Sequence, residues 1–159
     1  MRSIAGRNLD VLHYPGRGAN DEYWSTWVWY IQPCDETPMD DMSFEDVRVD
    51  NRDGARNLVK IRPMVRTGWG WEGHRPGRHV RNVLFRDIAL TGNTPDAAPG
   101  AICVSGADEE HPVDAVTFEN VTRYGVPVHD GAPSVAIGEY ATNVRFAGPG
   151  GAAARGDKP

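Results

Sequence analysis

The residues most able to do chemistry gather around two short segments, Tyr30-Ile31-Gln32 and Lys60-Ile61-Arg62. Each sets an isoleucine between two polar side chains. In a strand with the isoleucine turned inward, alternation turns both neighbours outward. Lys60 and Arg62 then offer two cations on one face, suited to carboxylates through charge-assisted hydrogen bonds. Tyr30 and Gln32 take the equivalent outward positions one strand earlier. The insert from Val65 to His79 follows the Lys60-Arg62 segment and carries Arg66, Trp69 and Trp71 among glycines. A loop of that kind cannot easily bury two indole rings, and exposed aromatic faces stack on sugar rings. Tyr30, Gln32, Lys60, Arg62, Arg66, Trp69 and Trp71 are therefore the candidate binding residues. Trp27 and Trp29 share parity with Ile31 and are expected in the core.

Acid–base candidates are fewer. Asp35 and Glu36 lie just past the Tyr30-Gln32 strand and are the nearest carboxylates, although solvated loop charge is the plainer reading. No outward strand position supplies two carboxylates at the roughly 6.5–9.5 Å that a single-displacement glycosidase needs. Asp108, Glu109 and Glu110 form another acidic run, but their spacing matches no calcium loop. The five histidines are scattered and lack helical zinc spacing. Cys34 and Cys103 form no C-x-x-C pair. No nucleophile elbow or phosphate-binding glycine loop occurs. The expectation is no metal and no cofactor.

Composition narrows the partners. The chain has 159 residues, 40% hydrophobic and 25% charged, as expected of one folded domain. Its net charge of −5 argues against a nucleic-acid partner held through phosphates. No apolar run approaches the roughly 18 residues of a membrane-spanning helix, and no basic-then-apolar leader opens the chain. Neither a nucleic acid nor a membrane is expected as partner.

The elements that must position these residues show in the phenylalanines. All four occur in one motif: Met42-Ser43-Phe44-Glu45-Asp46-Val47, Val83-Leu84-Phe85-Arg86-Asp87-Ile88, Val116-Thr117-Phe118-Glu119-Asn120-Val121 and Val144-Arg145-Phe146-Ala147-Gly148. Met42 and Phe44 share a parity, whereas Val47 and Val49 lie on the other. Two short strands meeting at a sharp corner produce such a slip. The corner position holds Asn8, Asp46, Asp87, Asn120 and Gly148, the residue types that tolerate positive φ. Between corners lies a second strand family, Trp27 to Gln32, Leu58 to Arg62, Ala101 to Ser105 and Ser134 to Gly138. A motif recurring at tens of residues indicates a repeat architecture. The expected fold is all-β, a right-handed parallel β-helix of about four turns over 1–148, with a disordered tail at 149–159. Without a cap at the N-terminal turn, the chain is expected to be the C-terminal piece of a longer solenoid or to associate edge-on with a partner.

These corners, together with Leu58-Val59-Lys60-Ile61-Arg62, resemble the pectin-lyase-like superfamily. They are most similar to glycoside hydrolase family 28, the polygalacturonases. That family has an Arg-Ile-Lys strand with both cations facing the substrate groove, and Lys60-Ile61-Arg62 keeps the alternation in reverse order. The likeness runs from about Ile4 to Gly148. It implies glycosidic-bond hydrolysis on a polysaccharide or oligosaccharide, an acidic one given the cations, and an extracellular or periplasmic location. The family's Asn-Thr-Asp, Asp-Asp and Gly-His-Gly elements are missing from these strands. The resemblance therefore places the acid and base outside this chain. The alternatives are a non-catalytic carbohydrate-binding or structural β-helix and a calcium-dependent polysaccharide lyase.

Overall fold

The computed structural model describes residues 2–11, 27–51, 57–63, 75–92 and 102–148. Among them the chain is all-β and contains no helix. Its strands are β1 (Arg2–Val11), β2 (Trp27–Ile31), β3 (Pro38–Asn51), β4 (Asn57–Ile61), β5 (His79–Gly92), β6 (Ile102–Val104), β7 (Val113–Arg123), β8 (Val126–Pro127), β9 (Val135–Ile137), β10 (Ala141–Thr142) and β11 (Arg145–Ala147). Two sheets result. One runs β1-β3-β5-β7, with β10 and β11 both on the far side of β7; the other runs β2-β4-β6-β9. Every pairing along these orders is parallel. The short β7–β8 hairpin is antiparallel. Parallel neighbours need a crossover. Here the crossover from one long strand to the next passes through a short strand of the other sheet.

Register places like residues side by side. Phe44 pairs with Phe85, Phe85 with Phe118 and Phe118 with Phe146. Their rings stack at centroid separations of 5.3, 5.2 and 5.0 Å. Stacked pairs of this kind add about 0.5–1.5 kcal/mol each beyond the area they bury. Val47, Ile88 and Val121 make a second inward column, and Met42, Val83 and Val116 a third; all six are buried. Trp29 reaches across from the other sheet, 5.6 Å from Phe44 and 5.5 Å from Phe85, so the two sheets share one core.

The residues expected at corners are left-handed in every case, but Asn8, Asp46, Asp87 and Asn120 lie within single strands, β1, β3, β5 and β7, rather than between two short ones. Asn8, Asp46, Asp87 and Asn120 have φ between 51° and 54°, and Gly148 has φ 142°. One left-handed residue breaks the strand's alternation, which lets Phe85 and Ile88 both face inward three residues apart. A second left-handed column went unrecognised in the sequence: Ser3, Asp41, Asn82, Ala115 and Asn143, with φ between 52° and 58°. It has the same effect on Val80 and Val83, both buried. Three of its five members are Asp or Asn, a signal diluted by Ser3 and Ala115. Side chains tie both columns along the stack: Asn120 Nδ2 donates to Asp87 Oδ1 at 2.7 Å, and Asn82 Nδ2 to Asp41 Oδ1 at 3.0 Å.

Candidate functional site

The short-strand sheet positions the candidate binding residues. Tyr30 pairs with Lys60, Lys60 with Cys103 and Cys103 with Ala136, making one outward column. The ladder continues one residue beyond the strands. Arg62 N–H donates to Ile31 O at 3.0 Å, Ser105 N–H to Ile61 O at 3.1 Å, and Gly138 N–H to Val104 O at 2.8 Å. Those bonds set Gln32, Arg62, Ser105 and Gly138 in an adjacent column. At Gly138 the packing is close enough that a Cβ would lie 2.9 Å from Ser105 Cβ. Inward neighbours Ile31, Ile61 and Val104 are buried, so alternation holds from Lys60 onward. It fails earlier in β4, where Leu58 has Lys60's parity yet is fully buried in the core. The outward face of β4 is therefore open only at its C-terminal end.

Tyr30 and Lys60 are brought together, and Trp27 joins them. Lys60 Nζ lies 5.3 Å from the Trp27 ring centroid and 5.6 Å from that of Tyr30. Two rings face one ammonium, and such cation–π contacts hold a charge without neutralising it. Trp27 is 2% exposed, in keeping with its expected burial, but it underlies the lysine rather than joining the phenylalanine column. Arg62 is exposed, and among the described residues it pairs with no carboxylate. The surface thus carries a held cation beside a solvent-facing one. Arg66, Trp69 and Trp71 lie outside the described residues.

Asp35 and Glu36 form the tip of a tight turn, with φ 53° and 57°. Thr37 N–H closes it on Cys34 O at 3.1 Å, while Asp35 and Glu36 N–H donate to Arg75 O and Pro76 O at 2.8 and 2.9 Å. The Asp35 carboxylate accepts from Arg75 N–H at 3.3 Å, and Glu36 lies 3.8 Å from the Arg75 guanidinium. Both are adjacent on one turn and exposed, an arrangement that anchors residues 75–77. Burial, reinforced by the neighbouring Asp35 charge, pushes the Cys34 thiol up. Cys34 and Cys103 are both free thiols.

Sequence reasoning missed one further contact here. His79 Nε2 meets Asp40 Oδ1 at 2.8 Å, with side chains 14% and 15% exposed. Their pairing follows from register, since Pro38 lies opposite His79 and Asp40 opposite Arg81. Reading candidate loops in isolation could not expose it.

The outer face of the long-strand sheet is different in kind. Arg7, Glu45, Arg86 and Glu119 occupy one column and are joined at 2.8, 3.2 and 2.9 Å. A hydrogen bond from Arg7, helped by the Arg86 charge, holds the Glu45 carboxyl below the usual range. Arg48 gathers Asp10, Asp46 and Asn8 at 2.5, 2.6 and 3.0 Å. No helix among the described residues is long and apolar enough to cross a membrane, and no group of three or more His, Cys, Asp or Glu among them could hold a metal ion. Comparison with family models, with curated proteins and with solved structures found no match to this chain.

Proposed function

We propose that the two parallel sheets are faces of a right-handed β-helix of about four turns, and that its Tyr30-Gln32-Lys60-Arg62 surface binds an acidic polysaccharide or oligosaccharide. The observation that carries this reading is the aromatic-held Lys60 ammonium beside exposed Arg62 on one outward face. Parallel strands joined by crossovers in one sheet are overwhelmingly right-handed. Sugar carboxylates pair with Lys and Arg through charge-assisted bonds, and rings supply the stacking surface. In this reading the chain is the C-terminal portion of a polysaccharide-active hydrolase similar to family 28. It acts outside the cytoplasm and contributes binding surface, while groups beyond its own strands supply the acid and base for single displacement.

A non-catalytic carbohydrate-binding β-helix is the second reading, favoured by one observation. The nearest carboxylates, Asp35 and Glu36, are committed to a turn with Arg75. A calcium-dependent lyase is the third. The same architecture supports edge-on association, because β1 has a strand neighbour on one side only among the described residues.

The test is calorimetric titration with oligogalacturonate and with neutral cello-oligosaccharides, alongside reducing-sugar release. Oligogalacturonate alone should bind. Arg62→Ala should weaken it about 10-fold or more, the worth of a charge-assisted bond. Sugar release by this chain would overturn the assignment of catalysis to groups elsewhere. Absence of binding, or no change in Arg62→Ala, Trp69→Ala and Trp71→Ala, would remove the groove.

A further inference from the structure

One inward column breaks its own pattern. Val11, Val49, Leu90 and Arg123 are paired in register across β1, β3, β5 and β7. Val49 and Leu90 are completely buried. The next member is an arginine, and its Nε and Nη2 are closed off from solvent with no hydrogen-bond partner among the described residues. Burial holds this guanidinium below its ordinary pKa, opposed by the Tyr124 hydroxyl. The Tyr124 ring lies 5.2 Å away and engages the cation through its π face. That contact answers the charge but accepts neither N–H, because the donors lie in the guanidinium plane.

Arg123 lines a cavity of about 300 Å³. Its walls follow from main-chain bonds. The β7–β8 hairpin brings Val126 opposite Arg123. Val128 N–H then donates to Val121 O at 2.9 Å, and Ala132 N–H to His129 O at 3.2 Å. Val126, Pro127, Val128, Ala132 and Pro133 make the wall largely apolar, and Tyr124, His129 and Ser134 are the other polar side chains among the described residues. His129 Nδ1 meets Asp130 O at 2.9 Å; a carbonyl only accepts, so that nitrogen carries the proton. Among the described residues no second Lys or Arg lines the space.

We propose that this cavity binds a small monocarboxylic acid with an apolar body, its carboxylate seated on the Nε–Nη2 edge of Arg123. These two N–H groups point the same way along one edge of the guanidinium, the fork that a carboxylate meets with two parallel bonds. One positive charge matches a monoanion better than a phosphate dianion. Apolar walls with a few convergent polar groups suit an aryl or short alkyl body rather than a sugar. Both donors are closed off from solvent, so binding requires the guanidinium to reorient into the cavity, and the two are one event. The site is separate from the Lys60-Arg62 surface and does not depend on what binds there.

Benzoate, benzamide, glucuronate and inorganic phosphate distinguish the elements of the proposal. With nitrogen-labelled full-length protein, benzoate should saturate and shift the Arg123 Nε–H resonance. Benzamide lacks the charge, glucuronate the apolar body and phosphate the planar monoanion; each should bind at least tenfold more weakly. Arg123→Gln should lose at least tenfold in benzoate affinity, and Arg123→Lys, which keeps charge without the fork, should also bind weakly. A motionless Arg123 resonance at saturating benzoate, or any of the other three probes binding as tightly, overturns the proposal. That titration needs only the native protein, so it decides the matter even where a variant fails to fold.

Discussion

The outer faces of the two sheets obey the same stacking rule and reach opposite results. On the long-strand sheet the column Arg7, Glu45, Arg86, Glu119 alternates in sign, so each charge meets its opposite on the adjoining strand. On the short-strand sheet the column reads Tyr30, Lys60, Cys103, Ala136, with one cation and no alternation. Exposed ion pairs contribute little to stability. The alternating ladder therefore matters chiefly because it leaves no unanswered charge to attract a ligand. The short-strand face has no such ladder: in the adjacent column Arg62 is exposed and, among the described residues, pairs with no carboxylate.

Both faces rest on the phenylalanine column, so the largest effect should come from breaking it. Phe85 is fully buried, stacked on both sides and touched by Trp29 from the opposite sheet. Phe85→Ala should cost about 3–5 kcal/mol in denaturant unfolding. Phe146, half-buried with a single stacked neighbour, should cost clearly less. Equal losses would show that the column does not carry the core. A smaller change should sharpen the long-strand sheet. Ala115 holds φ 56° without an amide side chain, between Asn82 and Asn143 in its column. Ala115→Asn should stabilise by about 1 kcal/mol, since Asn tolerates the left-handed region that costs alanine roughly 1–2 kcal/mol. A fall in the unfolding midpoint would contradict that account.

The smallest effect separates the faces by pH. Glu45 and Asp114 both have folded-state pKa values below the ordinary range. In Asp114 the main cause is the hydrogen bond from Thr142, followed by that from Asn143. A depressed carboxyl contributes stability above its unfolded pKa and loses it as pH falls through the folded value. Acid should therefore loosen the pairing of β10 with β7 before the core opens, visible as falling hydrogen-exchange protection at residues 141–147. Glu45→Gln should shrink the acid-dependent part of the unfolding midpoint. Arg62→Ala, on the other face, should leave that dependence unaltered.

Much of this was legible in the sequence because the repeat is carried by rare residues. Phe and Asx recur at one phase, and positive φ restricts what can stand at a corner. Asp41, Asn82 and Asn143 carried the same information for the second corner, but Ser3 and Ala115 interrupted it. Parity assigned Tyr30 and Lys60 to one face correctly and failed at Leu58, because alternation cannot report what covers a strand's outer side. The Trp27 platform and the His79–Asp40 contact depend on register between strands some 30 to 40 residues apart. Arg123 was invisible for a related reason: its inward column is apolar up to that point, and a charged residue near a strand end reads as solvated.

The spacing between matched residues is uneven. Bonded side chains on adjoining strands are separated by 38, 41, 33 and 28 positions in succession, while the columns stay aligned. Segment length is thus decoupled from alignment, and residues can be added or removed between the sheets without disturbing either set of strands. Such a scaffold keeps its register with intervening segments of different length, as one tool handle accepts different heads.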